Sequence, residues 1–425
     1  MKTTARWLIA LCAAATLAAC GLGLLGNQGR LRLVNATTGV GSLDLFIEGE
    51  TAMTGIPALS ASDYVFRRDG SYQLDLRQTG NVATILTTST SFVADKHQSM
   101  VVYNSGGTVA ATFLDDEEGD PGRNKAKFRI FNTATGDADK VDVYTISDPC
   151  TALEASPAAP IASAVSGLQS SYTELGAGTT GLHVCVTTAG DKRDVRLDIP
   201  AFVFSDQRIV TLILVRGAGG YLMNAIVVDQ QDAATPVRNA SARARVATSV
   251  PTPASVTVNG TPVASALPTA RVGTYVVVPA GPVTLKVNDA DVTAVPTLVA
   301  EPGADLTVLL MGSAPAATLL VDDNAPSGSA ARPARLRLVN GLDNGGSATL
   351  SLNGAVFGGS VAPDSASAYG TVEASAGHAQ LEAVAGGVSL FSRNDVTFES
   401  GRVYTLFLLG DAAGTSKTGI LVQDR

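Results

Sequence analysis

The sequence predicts an all-β protein of four tandem immunoglobulin-like β-sandwich repeats. Three observations predict it. Apolar and polar residues alternate over short runs, the period of a half-buried strand, while helical periodicity is nearly absent. The 43 Gly and 19 Pro of the 425 residues fall between those runs as turn signals. A similar opening segment recurs at intervals of 97, 116 and 92 residues.

Composition sets the outer limits. With 45% hydrophobic and 16% charged residues the chain is too apolar for a disordered polymer, and its length suits about two to four domains. A formal net charge of -8 excludes a nucleic-acid partner, which needs a basic surface to neutralise phosphates.

Residues 1–19 place Lys2 and Arg6 before an apolar run from Trp7 to Ala19, the pattern of a secretory signal and too short to span a bilayer. The run ends in Leu17, Ala18, Ala19 and Cys20, which resembles the lipobox of bacterial lipoproteins. That resemblance implies cleavage between Ala19 and Cys20 and acylation of Cys20, including a palmitate-type chain. Several acyl chains anchor stably at about 0.8 kcal/mol per buried methylene. Gly21, in place of an Asp, implies an outer-membrane address in the bacterial cell envelope. The other reading is an ordinary secretory signal that leaves Cys20 as a free thiol. Loss of Lys2, Arg6 and Trp7 with the signal leaves a Trp-free chain of net charge -10. Residues 20–29 then read as a lipidated tether.

The repeats are expected at 30–118, 126–232, 243–324 and 335–425. Their opening strands are Arg30-LRLVNAT, Lys127-FRIFNTA, Arg243-ARVATSV and Arg335-LRLVNGL. A second strand follows in each, and two of these end in Asn259-Gly260 and Asn353-Gly354, the pair that best tolerates the positive φ angles of a tight hairpin. Tyr64, Tyr172, Tyr275 and Tyr369 come next, at comparable distances from the opening strand. Residues 301–312 align on 399–410 with five identities, and every unit closes on an apolar strand with an acid: FLDD, VVDQ, LVDD and LVQD. Segments 116–124, 232–241 and 325–334 read as linkers, short enough for neighbours to touch. The best helix candidate, 151–165, is broken by Pro157 and Pro160.

The order of an R-L-V-N-A strand, a hairpin ending in Asn-Gly, then Tyr275-VVVPAG-PVTLKV and Glu301-PGADLTVLLMG resembles the DUF4397 domain of bacterial surface and exported proteins. It is clearest in repeats 1, 3 and 4. Repeat 2 has Gly176-AGTTGLHVCV where the family has Pro-Ala-Gly. The resemblance implies a fold and an exported location, and no assigned chemistry.

Chemistry is sparse. Cys150 and Cys185 remain after the signal and the lipidation site are set aside, and in an oxidising compartment they are expected to pair, with buried free thiols as the alternative. His97, His183 and His378 lie far apart, and no zinc, nucleophile-elbow or phosphate-loop motif is present, so no catalytic, cofactor-binding or metal residue is assigned. The acids Asp115, Asp116, Glu117, Glu118 and Asp120 raise calcium, but they lack the D-x-D-x-D-G spacing and read as a solvated linker. Pairs such as Arg67-Arg68 and Arg243 with Arg245 read as solvent-facing strand positions. The functional expectation is a non-enzymatic envelope lipoprotein acting as a structural or interaction module. Its expected partners are the membrane through its acyl chains and envelope proteins or glycans. The alternative is a surface binding protein or adhesin for a glycan or protein ligand.

Overall fold

The structure, a computed structural model, describes residues 27–105, 107–134, 139–167, 169–292, 298–312, 316–327, 333–343, 345–374, 378–410 and 417–425. Ala19 and Cys20 lie outside the described residues.

Each repeat is built on two facing sheets, to which repeat 3 adds a two-stranded ribbon of Gly281–Pro282 and Val299–Ala300. In repeat 1 the opening strand Gln28–Ala36 lies parallel to His97–Ser105, which pairs antiparallel with the closing strand Thr108–Asp115. The short strands Ser60–Ala61 and Val65–Arg68 cover the other edge of the opening strand. The second sheet is antiparallel, in the order Glu50–Ile56, Leu43–Ile47, Gly70–Gln78, Thr84–Phe92. The pattern returns with opening strands Lys125–Asn132, Ser241–Ser249 and Ala334–Leu342, each parallel to a penultimate strand, Ile209–Arg216, Asp305–Met311 and Val403–Gly410. The segments 301–312 and 399–410, similar in sequence, therefore contain the same strand of two repeats.

Alternation explains the cores. Leu31 and Leu33 point inward against Leu43, Leu45, Leu74 and Leu76, and the other three repeats repeat this cluster with their own residues. The Asn of the opening strand ties the two sheets together. Asn35 donates to the carbonyls of Gly41 and Ile56, Asn132 to those of Asp139 and Val165, and Asn340 to those of Gly346 and Val361. Each such bond contributes about 1 kcal/mol, and leaving a buried carbonyl unpaired costs more. Repeat 3 has Thr248 at this position, whose hydroxyl donates to the Pro268 carbonyl. The hairpin turns carry positive φ at both central residues, 48° and 78° at Asn259-Gly260 and 52° and 78° at Asn353-Gly354. Repeat 1 makes the same turn with Glu48-Gly49.

Two expectations are corrected, on the second linker and on the paired arginines, and one is met. Residues 232–241 are not only a linker: Ala234–Val237 adds a further strand to Met223–Asp229. The helix candidate is broken as its prolines imply, leaving one short 3-10 segment, Cys150–Ala155, before Pro157. Arg243 and Arg245 are buried rather than solvent-facing, Arg245 being only 1% exposed. Alternation shows which side chains leave their own core, but not that a second repeat covers the far face. Here it does. Val34, Val101 and Tyr103 of repeat 1 pack on Phe131, Ile213 and Ile226 of repeat 2, and Ala247 and Leu309 of repeat 3 pack on Val339, Phe407 and Leu409 of repeat 4.

Candidate functional site

The residues that sequence similarity singles out converge at these contacts between repeats. The second basic residue of each opening strand, Arg32, Arg129, Arg245 or Arg337, points away from its own core. Its Nε donates to a hydroxyl on the parallel strand: Ser99 at 2.6 Å, Thr211 at 2.8 Å, Thr307 at 2.9 Å and Thr405 at 3.2 Å. In repeats 1, 3 and 4 that hydroxyl donates in turn to the closing acid, Asp116, Asp322 or Asp424. The recurring Tyr lies against each guanidinium, with ring centroids 4.5–4.9 Å from Cζ for Tyr64, Tyr172, Tyr275 and Tyr369. A guanidinium over an aromatic face is attracted by the ring quadrupole. Tyr64 and Tyr275 also donate their hydroxyls to Asp116 and Asp322.

The arginines reach across the boundary. Arg245 donates to Asp424 of repeat 4, and Arg337 donates to Asp322 of repeat 3. Between repeats 1 and 2 the exchange runs through backbone: Arg32 donates to the carbonyls of Asp229 and Asp232, and Arg129 to that of Asp115. The strand register accounts for the difference, because it places Gln230 where the other repeats have their closing Asp. Buried charge shifts these groups. Burial alone lowers the Arg245 guanidinium, but Tyr275, Asp424 and Asp322 around it lift it above the ordinary arginine value. Burial, then Asp322, hold the Tyr275 hydroxyl protonated well above its usual range.

The pairs are joined to one another by a glycine loop. Gly219 donates its N–H to the Gly303 carbonyl at 2.8 Å and accepts from Asn324 N–H at 2.9 Å. Tyr221 stacks under Arg243, whose guanidinium grips Asp305 through Nε and Nη2, at 2.8 and 2.6 Å. Close by, Asp139 receives Arg216 at 2.7 Å, lies 3.6 Å from Arg196, and pairs with Arg425 of repeat 4. Burial opposes its charge, yet Arg425, Arg216 and Arg196 keep the carboxyl below its usual value. The same burial and the neighbouring arginines push Arg425 down to about 10 against the pull of Asp139. No motif announces this cluster, since its members come from four separate segments.

Three of the five clustered acids are held by protein partners, while Asp115 and Asp120 are exposed. Asp116 is taken by Arg32, Ser99 and Tyr64, Glu117 pairs with His97 at 2.7 Å, and Glu118 with Lys127 at 2.5 Å. His183 pairs with Asp198, and His378 is exposed. Cys150 and Cys185 form a disulfide that fastens the 3-10 segment over the outer face of repeat 2, where Leu153 packs on Tyr144. Among the described residues, the one cluster of potential metal ligands is these two bonded cysteines with Asp198, and the disulfide removes their thiolates.

A model of the domain of unknown function DUF4397 matches residues 29–144 and 242–343. These are repeats 1 and 3, each with the opening of the repeat that follows. No curated protein matches the chain in sequence. Among solved structures, an α-glucan-binding module of a streptococcal virulence factor is 9% identical, covering 44% of this chain and 93% of its own, with a TM-score of 0.17. A family 26 carbohydrate-binding module of Eubacterium rectale Amy13K is 8% identical over 48% and 97%, with a TM-score of 0.17. The Bacillus anthracis TIE protein is 12% identical over 91% and 68%, with a TM-score of 0.13. With just over half of its residues matched by that family model, the chain belongs to the DUF4397 family.

Proposed function

We propose that the chain is a non-enzymatic lipoprotein of the bacterial cell envelope, held to the outer membrane by acyl chains on Cys20, whose repeats form a stiff structural block. The observation that carries the structural half is the reciprocal exchange of Arg245 and Arg337 with Asp424 and Asp322 across the boundary between repeats 3 and 4. Flexibly strung modules do not bury charged side chains in one another, because an uncompensated buried charge costs several kcal/mol. The anchor half is supported by the apolar run ending at Ala19-Cys20.

The test is metabolic labelling with a palmitate analogue in the native host, followed by density fractionation of the membranes. The wild-type chain is expected to carry label and sediment with the outer membrane, and Cys20→Ala to lose both. Label retained in Cys20→Ala, or unlabelled wild type, overturns the anchor. Scattering from the purified chain tests the block: a single compact particle is expected, and a flexible string of beads overturns it.

A further inference from the structure

The two pairs of repeats are stacked end to end. Thr38, Asn104 and Gly217, at the far ends of repeats 1 and 2, surround one cavity together with Arg335 and Thr371 at the opening end of repeat 4. A Cβ built on Gly217 would also meet the Gly303 Cα of repeat 3 at 2.7 Å. The start of the strand Gln28–Ala36 is therefore the end of repeat 1 turned away from repeats 3 and 4. We propose that this end docks on a phospholipid bilayer, with the side chains of Phe66 and Val93 entering the headgroup boundary.

The anchor decides which end meets the lipid, and here the inference rests on the anchor reading. Cys20 lies seven residues before Asn27, a reach of at most about 25 Å, so acyl chains on Cys20 hold Gln28 within that distance of the bilayer. Val82, at the other end of the strand Gly70–Gln78, is a further strand length away, roughly 25–30 Å. A short tether keeps the local lipid concentration high, so a modest apolar contact is enough to dock.

Two exposed apolar side chains flank Gln28. Phe66 pairs with Arg30 along one edge of the strand, and on the other side a Cβ built on Gly29 would meet the Val93 nitrogen at 2.7 Å. They are 48% and 45% exposed, and Phe66 is the one exposed phenylalanine of the twelve. A single exposed apolar residue is ordinary on a protein surface, and it is the position beside the tether that gives these two a partner. Their surroundings suit a headgroup layer. Arg68 and Lys96 are exposed, and among the described residues their charged groups have no hydrogen-bond or ion-pair partner. Their long stems let Phe66 and Val93 sink while the charges stay among the phosphates. Asp69 and Asp95, which donate backbone N–H groups to the carbonyls of Asn27 and Gln28, balance that charge. These four groups add no net charge on a chain of -8, so anionic lipid does not repel them.

The experiment couples the Cys20 thiol of the chain, made without its signal, to a maleimide lipid. The vesicles are of phosphatidylethanolamine and phosphatidylglycerol with brominated acyl chains. Coupling supplies the tether whether or not a host acylates Cys20, so failed acylation and failed docking are separate results. Without its signal the chain has no Trp, and one introduced Trp reports from one place. Phe66→Trp and Val93→Trp are expected to lose emission to the bromines and to shift to shorter wavelength. Val82→Trp and Val388→Trp, exposed at the far ends of repeats 1 and 4, are expected to emit as they do in water. In the Val93→Trp chain, Phe66→Asp is expected to restore the emission. Either reporter beside Gln28 suffices if the other fails to fold. No quenching at positions 66 and 93, equal quenching at 82 or 388, or quenching that survives Phe66→Asp overturns the proposal.

Discussion

Arg245 and Asp424 stand 179 residues apart in the chain and belong to different repeats, yet they form one buried ion pair. Arg337 and Asp322 complete the reciprocal exchange. Asp322 additionally accepts from Thr307 at 2.6 Å and Tyr275 at 2.5 Å, so its removal strands an arginine and two hydroxyls in the interior. Asp322→Ala is expected to destabilise by about 3–5 kcal/mol. The double change Arg337→Met, Asp322→Leu should cost clearly less than the sum of the two single changes, since no buried charge is then left alone. Denaturant unfolding of the four proteins measures this. Additive costs would show that the pair is not coupled.

Stability should fall steeply in alkali. Seven of the nine tyrosines, Tyr64, Tyr144, Tyr172, Tyr221, Tyr275, Tyr369 and Tyr404, are held protonated above the ordinary value near 10, with burial the leading cause in every one. A raised folded value means that the contribution is fully present below pH ~10 and is lost as pH rises beyond it, because the unfolded chain ionises first. Arg425, pushed down to about 10, and Arg196, also lowered by burial, work in the opposite direction but are two groups against seven. Ultraviolet titration is expected to show these phenols ionising together with unfolding. Seven phenols titrating near pH 10 in the folded chain would contradict the burial that holds them.

How much of this was legible in the sequence depends on the residue. The R-x-R opening strand, the following Tyr and the terminal acid were each visible as a recurring element. Their association was not, because the parallel strand that brings Asp322 beside Arg245 lies about 60 residues downstream, and periodicity carries no information on strand order. The inward set, such as Leu31 and Leu33, followed from alternation alone. The same alternation leaves the burial of the outward arginines hidden, because it presents water and a neighbouring repeat as the same far face. Asp139 and its three arginines left no local trace at all.

Calcium is expected to leave melting unchanged. Three of the five acids that suggested it are occupied, Asp116 by Arg32, Glu117 by His97 and Glu118 by Lys127, which leaves only the exposed Asp115 and Asp120. Binding a cation would require these pairs to be broken for a site with no assembled cage of oxygens. Melting curves with chelator and with millimolar calcium should superimpose, and a rise with calcium would show that the cluster rearranges around the ion.

The disulfide should act locally. Closing a loop with a sequence separation of 35 stabilises by about 3–4 kcal/mol in the chain-entropy model. The bridged segment carries Leu153 onto Tyr144, and Lys192 donates to the carbonyls of Ser156 and Ala158 above the same ring. In Cys150→Ala, Cys185→Ala, hydrogen exchange is expected to rise over residues 150–161 and to stay unchanged in the strands that carry Arg245 and Arg337. A uniform rise over all four repeats would mean that the bridge holds the whole block together.

Gly219 offers the sharpest test of the junction between the two pairs of repeats. A Cβ built there would meet the Asp305 backbone nitrogen at 2.3 Å and its Cγ at 2.5 Å, both far inside contact distance. Backbone cannot yield as a flexible side-chain tip can, so Gly219→Ala must push the loop away from repeat 3. Asp305 is at the same time the partner of Arg243 and Asn324, and burial already lifts its carboxyl above the usual value despite Arg243. Overpacking of this kind costs about 1–3 kcal/mol. The expected result is a lowered melting temperature together with faster exchange at the amides of position 219 and Asn324, which donate to the carbonyls of Gly303 and Gly219. Exchange at the boundary between Arg337 and Asp322 should stay as it is, because that contact lies within the other pair and does not pass through the glycine loop.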